Sequence, residues 1–109
     1  MKKLFFILFL FLFSTGCKEV EKVEISIPTA QGGMCENNIH NALMDVDGVE
    51  KVKVDLENSI VKIAVEKEGL NLSKLENAIS NAGYVANDKL ANNDVYQTLT
   101  ACCKLPEDR

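Results

Sequence analysis

The sequence predicts a small α+β domain in which two helices lie on one face of a four-stranded antiparallel sheet. Three observations carry that prediction. Some segments alternate apolar and polar residues with period two, others repeat apolar residues at helical spacing, and glycine- or Asx-rich breaks separate them. Their order is strand, helix, strand, strand, helix, strand.

From Val20 the chain alternates, with Val23, Ile25 and Ile27 on one face and Glu24 and Ser26 on the other. Pro28 ends this strand because it has no N–H to give a ladder. A loop from Thr29 to Met34 follows. Ile39, Ala42, Leu43 and Val46 then recur at helical spacing and Asp47-Gly48 supplies a stop, predicting a helix from Cys35 to about Asp45 with Cys35 in its first turn. Val49 to Leu56 alternates with Val52, Val54 and Leu56 inward. Glu57-Asn58-Ser59 turns the chain into a partner strand carrying Val61, Ile63 and Val65. After Gly69, Asn71 or Ser73 caps a second helix whose Leu72, Leu75, Ile79 and Ala82 form the buried stripe, and Gly83 terminates it. Tyr84 to Asn87 reads as a short edge strand. Over residues 20–88 this is the split βαβ order of ferredoxin-like folds. Residues 89–109 form a polar tail with a weak helical stretch, Asp94 to Leu99, and then Cys102-Cys103.

The 109 residues allow one domain, preceded by an export signal. All five phenylalanines, Phe5, Phe6, Phe9, Phe11 and Phe13, fall at the N-terminal end, where Lys2 and Lys3 precede an apolar run from Leu4 to Phe13. A ten-residue helix is roughly 15 Å long, about half a bilayer core, so a permanent span is the poorer reading. Residues 1–16 are therefore expected to be a signal peptide. Removing them takes away two lysines and no acid, which leaves 10 basic against 16 acidic side chains, a net charge of −6. That charge, and the absence of Trp and Phe after Phe13, argue against a nucleic-acid partner.

The apolar run ends in Ser14-Thr15-Gly16-Cys17, which resembles the lipobox of bacterial lipoproteins. The resemblance implies that Cys17 is acylated and becomes the mature N-terminus. Ser14 stands where leucine is usual, so simple cleavage to a free periplasmic protein stays open. The expected location is the bacterial periplasm, free or anchored to the outer or cytoplasmic membrane.

Cys35 with Ile39, Ala42 and Leu43 after it, Gly48-Val49, the Val52/Val54 alternation with Asp55-Leu56, and Ala82-Gly83-Tyr84 together resemble the heavy-metal-associated domain. That family includes periplasmic mercury-binding proteins, copper chaperones and the N-terminal modules of metal-pumping P-type ATPases. The resemblance implies a soft-metal loop of the pattern Met-x-Cys-x-x-Cys, whose second cysteine opens the first helix. In register, that second cysteine is Cys35, Gly32 occupies the first cysteine's place and Ala30 the methionine's. Reading Met34 as the family methionine would put the helix out of register. Gly32, Gly33 and Met34 thus lie in or beside the loop. The resemblance also puts Tyr84 next to it as a shield, the alternative being a core tyrosine.

Thiolates are soft ligands that select Cu(I), Zn(II) and similar ions, and the free N–H groups of a first helical turn favour the thiolate of Cys35. A lone thiolate is not a chelate, so a second ligand must replace Gly32, and the tail is the obvious donor. The edge strand should leave Asp88 at the end opposite the loop. The fourteen residues to Cys102, half helical and half extended, span roughly 34 Å, enough to return. Cys35, Cys102 and Cys103 are the expected metal ligands. Cu(I) is the first choice of ion, with Hg(II) or Zn(II) as alternatives. His40 is five residues past Cys35 and points about 140° around the helix, which makes it a surface residue. Asp45, Asp47 and Glu50 flank a helix end and read as solvated.

Two functions compete. One is a metallochaperone or scavenger that passes its ion to a metal-transporting or metal-accepting protein. The other is a scaffold or interaction module that no longer carries metal and holds a disulfide between Cys35 and a tail cysteine. Neither is an enzyme, since no nucleophile stands with a base at readable spacing and Gly32-Gly33 alone is too weak for a phosphate loop.

Overall fold

The computed structural model describes residues 19–108, and the expected signal peptide, residues 1–16, and the expected lipidation site Cys17 lie outside them. The elements are β1 (Val20–Ser26), α1 (Gly33–Met44), β2 (Val49–Asp55), β3 (Ile60–Glu66), α2 (Leu72–Asn81) and a short α3 (Asn93–Thr98), with a 3-10 turn at Ala101–Cys103. The sheet order is β1-β3-β2, antiparallel throughout. Val23 and Val52 both pair with Ile63, while Ile25 and Val54 both pair with Val61. Because side chains alternate along a strand, this register turns all six to the same face. There they meet Ile39 and Leu43 of α1 and Leu75 and Ile79 of α2, giving an aliphatic core.

Helix ends follow the sequence. Asn71 caps α2 through a hydrogen bond accepted from the Lys74 N–H at 3.4 Å. Gly83, one residue past the cap Ala82, takes φ +100 and stops the helix. Cys35 is in the first turn of α1, as expected.

The fourth strand is corrected. Among the described residues the sheet has three strands, and Tyr84 to Asn87 makes no ladder. The Asn87 N–H donates to the Ser26 carbonyl at 2.8 Å, but the Ser26 N–H donates to the Asn87 side-chain oxygen at 2.9 Å instead of a backbone carbonyl. Asn87 adopts φ 54, and the chain doubles back at once through an Ala86–Lys89 bridge. Asparagine tolerates that left-handed conformation. The tail therefore does not depart from the far end of the domain. It starts close to the end of β1, on the side of the loop that precedes α1.

From there the tail packs on the C-terminal end of α2. The buried Ser80 hydroxyl donates to the Leu90 carbonyl at 2.7 Å, and the Asn92 N–H donates to the Ser80 carbonyl at 2.9 Å. Leu99 joins the core. The Tyr96 hydroxyl donates to Asp108 at 2.7 Å and accepts from the Leu105 N–H at 2.9 Å, so the last residues fold onto α3.

Candidate metal centre

α1 opens at Gly32, an N-cap residue whose side chain supplies no hydrogen bond. Its φ of −164 is ordinary extended backbone, and a Cβ built there meets nothing within 4 Å. Position 32 is thus sterically open to a side chain, with no special demand for glycine. Three residues on, Cys35 is 0% exposed. The 3-10 turn Ala101–Cys103 brings Cys103, 1% exposed, against it, and the two form a disulfide with Cα atoms 5.6 Å apart. The Cys35 sulfur also lies 3.9 Å from the Cys102 carbonyl oxygen.

Cys102 is a free, exposed thiol. The Thr100 hydroxyl donates to Met34 Sδ at 3.2 Å and lies 3.2 Å from Cys102 Sγ. With its one proton on Met34, that hydroxyl accepts from the Cys102 S–H. Tyr84 is buried beside this cluster, and its hydroxyl accepts from Asn38 Nδ2 at 3.0 Å. Burial holds the Tyr84 hydroxyl above its ordinary pKa of 10.0, the Asn38 hydrogen bond opposes that, and the nearby Cys102 charge adds to the rise. Tyr84 is at once a core residue and a neighbour of the sulfur cluster.

Cys35, Cys102, Cys103, Met34 and Tyr84 are therefore brought together. His40 is exposed on α1, and Asp45, Asp47 and Glu50 are exposed around its C-terminal end. Among the described residues no three Cys, His, Asp or Glu side chains are arranged to hold one ion, and two of the three cysteine sulfurs are bonded to each other. Reduction would return two thiols facing each other across 5.6 Å of backbone separation, with a third next to them. Sequence reasoning missed Thr100 and Asn38. Neither carries a signal in the sequence, since each matters only through what the fold places opposite it: Met34 of α1 for Thr100, and Tyr84, beyond α2, for Asn38.

A helix-on-sheet domain of this topology, with cysteine sulfur gathered at the N-terminus of its first helix, defines the class of small soft-metal modules. The sequence profile of the heavy-metal-associated domain matches residues 24–85, and the chain belongs to that family. The copper chaperone CopZ of Staphylococcus aureus is 33% identical over 52 residues, which are 48% of this chain and 76% of CopZ. Oxidized MerP of Ralstonia metallidurans superposes with a TM-score of 0.60 at 26% identity, covering 63% of this chain and 96% of MerP. A solved CopZ metallochaperone gives a TM-score of 0.59 at 26% identity over 61% of this chain and 98% of its own length. Cys102 and Cys103 lie beyond the family match.

Proposed function

We propose that the chain is an exported metallochaperone or scavenger that holds one soft metal ion, Cu(I) first and Hg(II) or Zn(II) as alternatives, between Cys35 and the tail cysteines. It acts by binding and ligand exchange, without catalysing a reaction. In this reading residues 1–16 are a signal peptide, Cys17 anchors the mature protein to a membrane, residues 20–88 are the metal-handling domain and 89–109 a tail that completes the site. A metal transporter or acceptor takes the ion. The copper chaperone relatives support copper as the cargo.

One observation carries the reading: the tail delivers Cys103 to Cys35, at the helix N-terminus where the family keeps its second loop cysteine. In this reading a tail cysteine 68 residues beyond Cys35 replaces the partner missing at Gly32. Thiolate ligands must be free, so metal binding belongs to the reduced chain. A Cu(I) competition titration of the reduced protein tests this. One ion per chain is expected, lost in Cys35→Ser and in Cys103→Ser.

The disulfide itself favours a second reading, in which the bond is permanent and the module binds a partner without metal. Intact mass without reductant, with and without thiol alkylation, separates the two. A native protein that never yields alkylatable Cys35 and Cys103, even under mild reductant, belongs to the second.

A further inference from the structure

Met34 and Cys102 place two more sulfurs directly outside the buried pair. Each is the chain neighbour of an inner cysteine, Met34 of Cys35 and Cys102 of Cys103, so the outer pair stands over the inner one. The contrast in access is sharp. Met34 is 53% exposed and Cys102 is exposed, whereas the disulfide sulfurs are closed off.

We propose that Met34 Sδ and Cys102 Sγ form an outer site for one monovalent soft metal ion, and that this site works while the Cys35–Cys103 disulfide is intact. Both sulfurs lie 3.2 Å from the single Thr100 Oγ1, so they are at most twice that, 6.4 Å, apart. A two-coordinate ion with metal–sulfur bonds of about 2.3 Å needs them roughly 4.6 Å apart. The unbranched Met34 side chain has three rotatable bonds and is exposed, so it can close that gap. A thioether and a thiolate together make a purely soft donor set, which selects Cu(I)-like ions over hard cations. On binding, the Cys102 S–H bond is replaced by a sulfur–metal bond, and the proton leaves to solvent. The thioether supplies a lone pair, and no electron changes hands. The Thr100 hydroxyl, released from Met34, donates to the metal-bound Cys102 sulfur and holds it in place.

This site does not depend on the inner pair ever holding metal. If the inner pair does, the outer sulfurs are the first ligands an incoming ion meets, one residue away on each strand of chain.

The test uses the full chain prepared without reductant, with the disulfide verified by mass, and Ag(I) as a redox-inert stand-in for Cu(I). Titration should give one Ag(I) per chain and move the Met34 methyl resonance while leaving that of Met44 unmoved. Cys102→Ser should abolish this binding, and Met34→Leu should weaken it by more than about tenfold, at least what loss of a mere outer partner costs. Both positions are exposed, and circular dichroism checks that the variants fold. A still Met34 methyl with less than tenfold loss in Met34→Leu would overturn the proposal, as would one Ag(I) per two chains bridged by Cys102. Loss of the outer site with normal Cu(I) binding by the reduced chain would leave the inner reading standing. The reverse pattern would remove the inner reading alone.

Discussion

Leu99 stands where a side chain on Gly83 would have to go: a Cβ at Gly83 would lie 3.1 Å from Leu99 Cδ1 and 3.4 Å from the Tyr96 Cα. The glycine that ends α2 is therefore also the seat of the tail. Its φ of +100 and this contact both forbid a larger residue.

Gly83→Ala should accordingly cost more than a simple helix-end substitution. A left-handed conformation costs a residue with a Cβ roughly 1–2 kcal/mol, and crowding against Leu99 adds to it. The expected loss is about 2 kcal/mol or more in urea unfolding. It should be accompanied by faster alkylation of Cys103 under mild reductant, because the tail is unseated. A neutral result would show that the tail yields without cost.

Gly32→Cys is expected to restore the family's loop pair. The extended φ and the empty space around its Cβ mean that no conformational strain opposes the change. Cu(I) binding by the reduced protein should strengthen, and the tail cysteines should become dispensable for the inner site, whereas without the substitution Cys103 is required. Competition titrations with and without the substitution, each with and without the tail, measure this. Equal weakening by tail loss in both backgrounds would mean that the tail does not replace the loop cysteine.

The disulfide closes a loop of 68 residues. On the chain-entropy account a loop of that length stabilises by about 4 kcal/mol, less any native-state strain. Cys103→Ser should lower the urea-unfolding free energy of the non-reduced protein by up to that amount. The reduced wild type should show the same loss and regain it when metal is added. Equal stability with and without the bond would indicate that unfolded-state structure already holds the ends together.

Both tyrosines should titrate above their ordinary value of 10.0, Tyr84 chiefly because it is buried and Tyr96 chiefly because it donates to Asp108. A phenol kept neutral by the fold adds stability that is fully present below its unfolded pKa. That stability is lost as the pH rises through the folded value. Alkaline unfolding should therefore begin above pH 10.0, and Tyr84→Phe should flatten the Tyr84 part of it. Tyrosinate absorbance against pH checks the assignment. Either residue ionising at or below 10.0 would contradict it.

Much of the fold was legible because it rests on patterns local in sequence. The Val23/Ile25/Ile27 and Val61/Ile63/Val65 alternations marked the buried face of two strands, and Gly83 marked a helix end. The edge strand was misread for a local reason too. Asn87 carries apolar neighbours that suit a strand, but its side chain satisfies Ser26 in place of its own carbonyl and its backbone turns left-handed. That single residue also explains why the tail did not need its full reach. At the sulfur cluster, sequence could name the thiols but not divide them. Cys102 and Cys103 are adjacent, and only the direction of the 3-10 turn sends one to Cys35 and the other to solvent.

The position of Cys35 in the chain has a mechanical consequence. The covalent loop from Cys35 to Cys103 contains β2, β3 and α2 but leaves out β1, an edge strand held by its pairing with β3, by the two Ser26–Asn87 hydrogen bonds and by its buried side chains. A pull on the N-terminal end is thus borne by non-covalent contacts, chiefly the β1–β3 ladder. That ladder would part first, with everything from α1 to the tail still enclosed in a loop that cannot lengthen until its sulfur link opens.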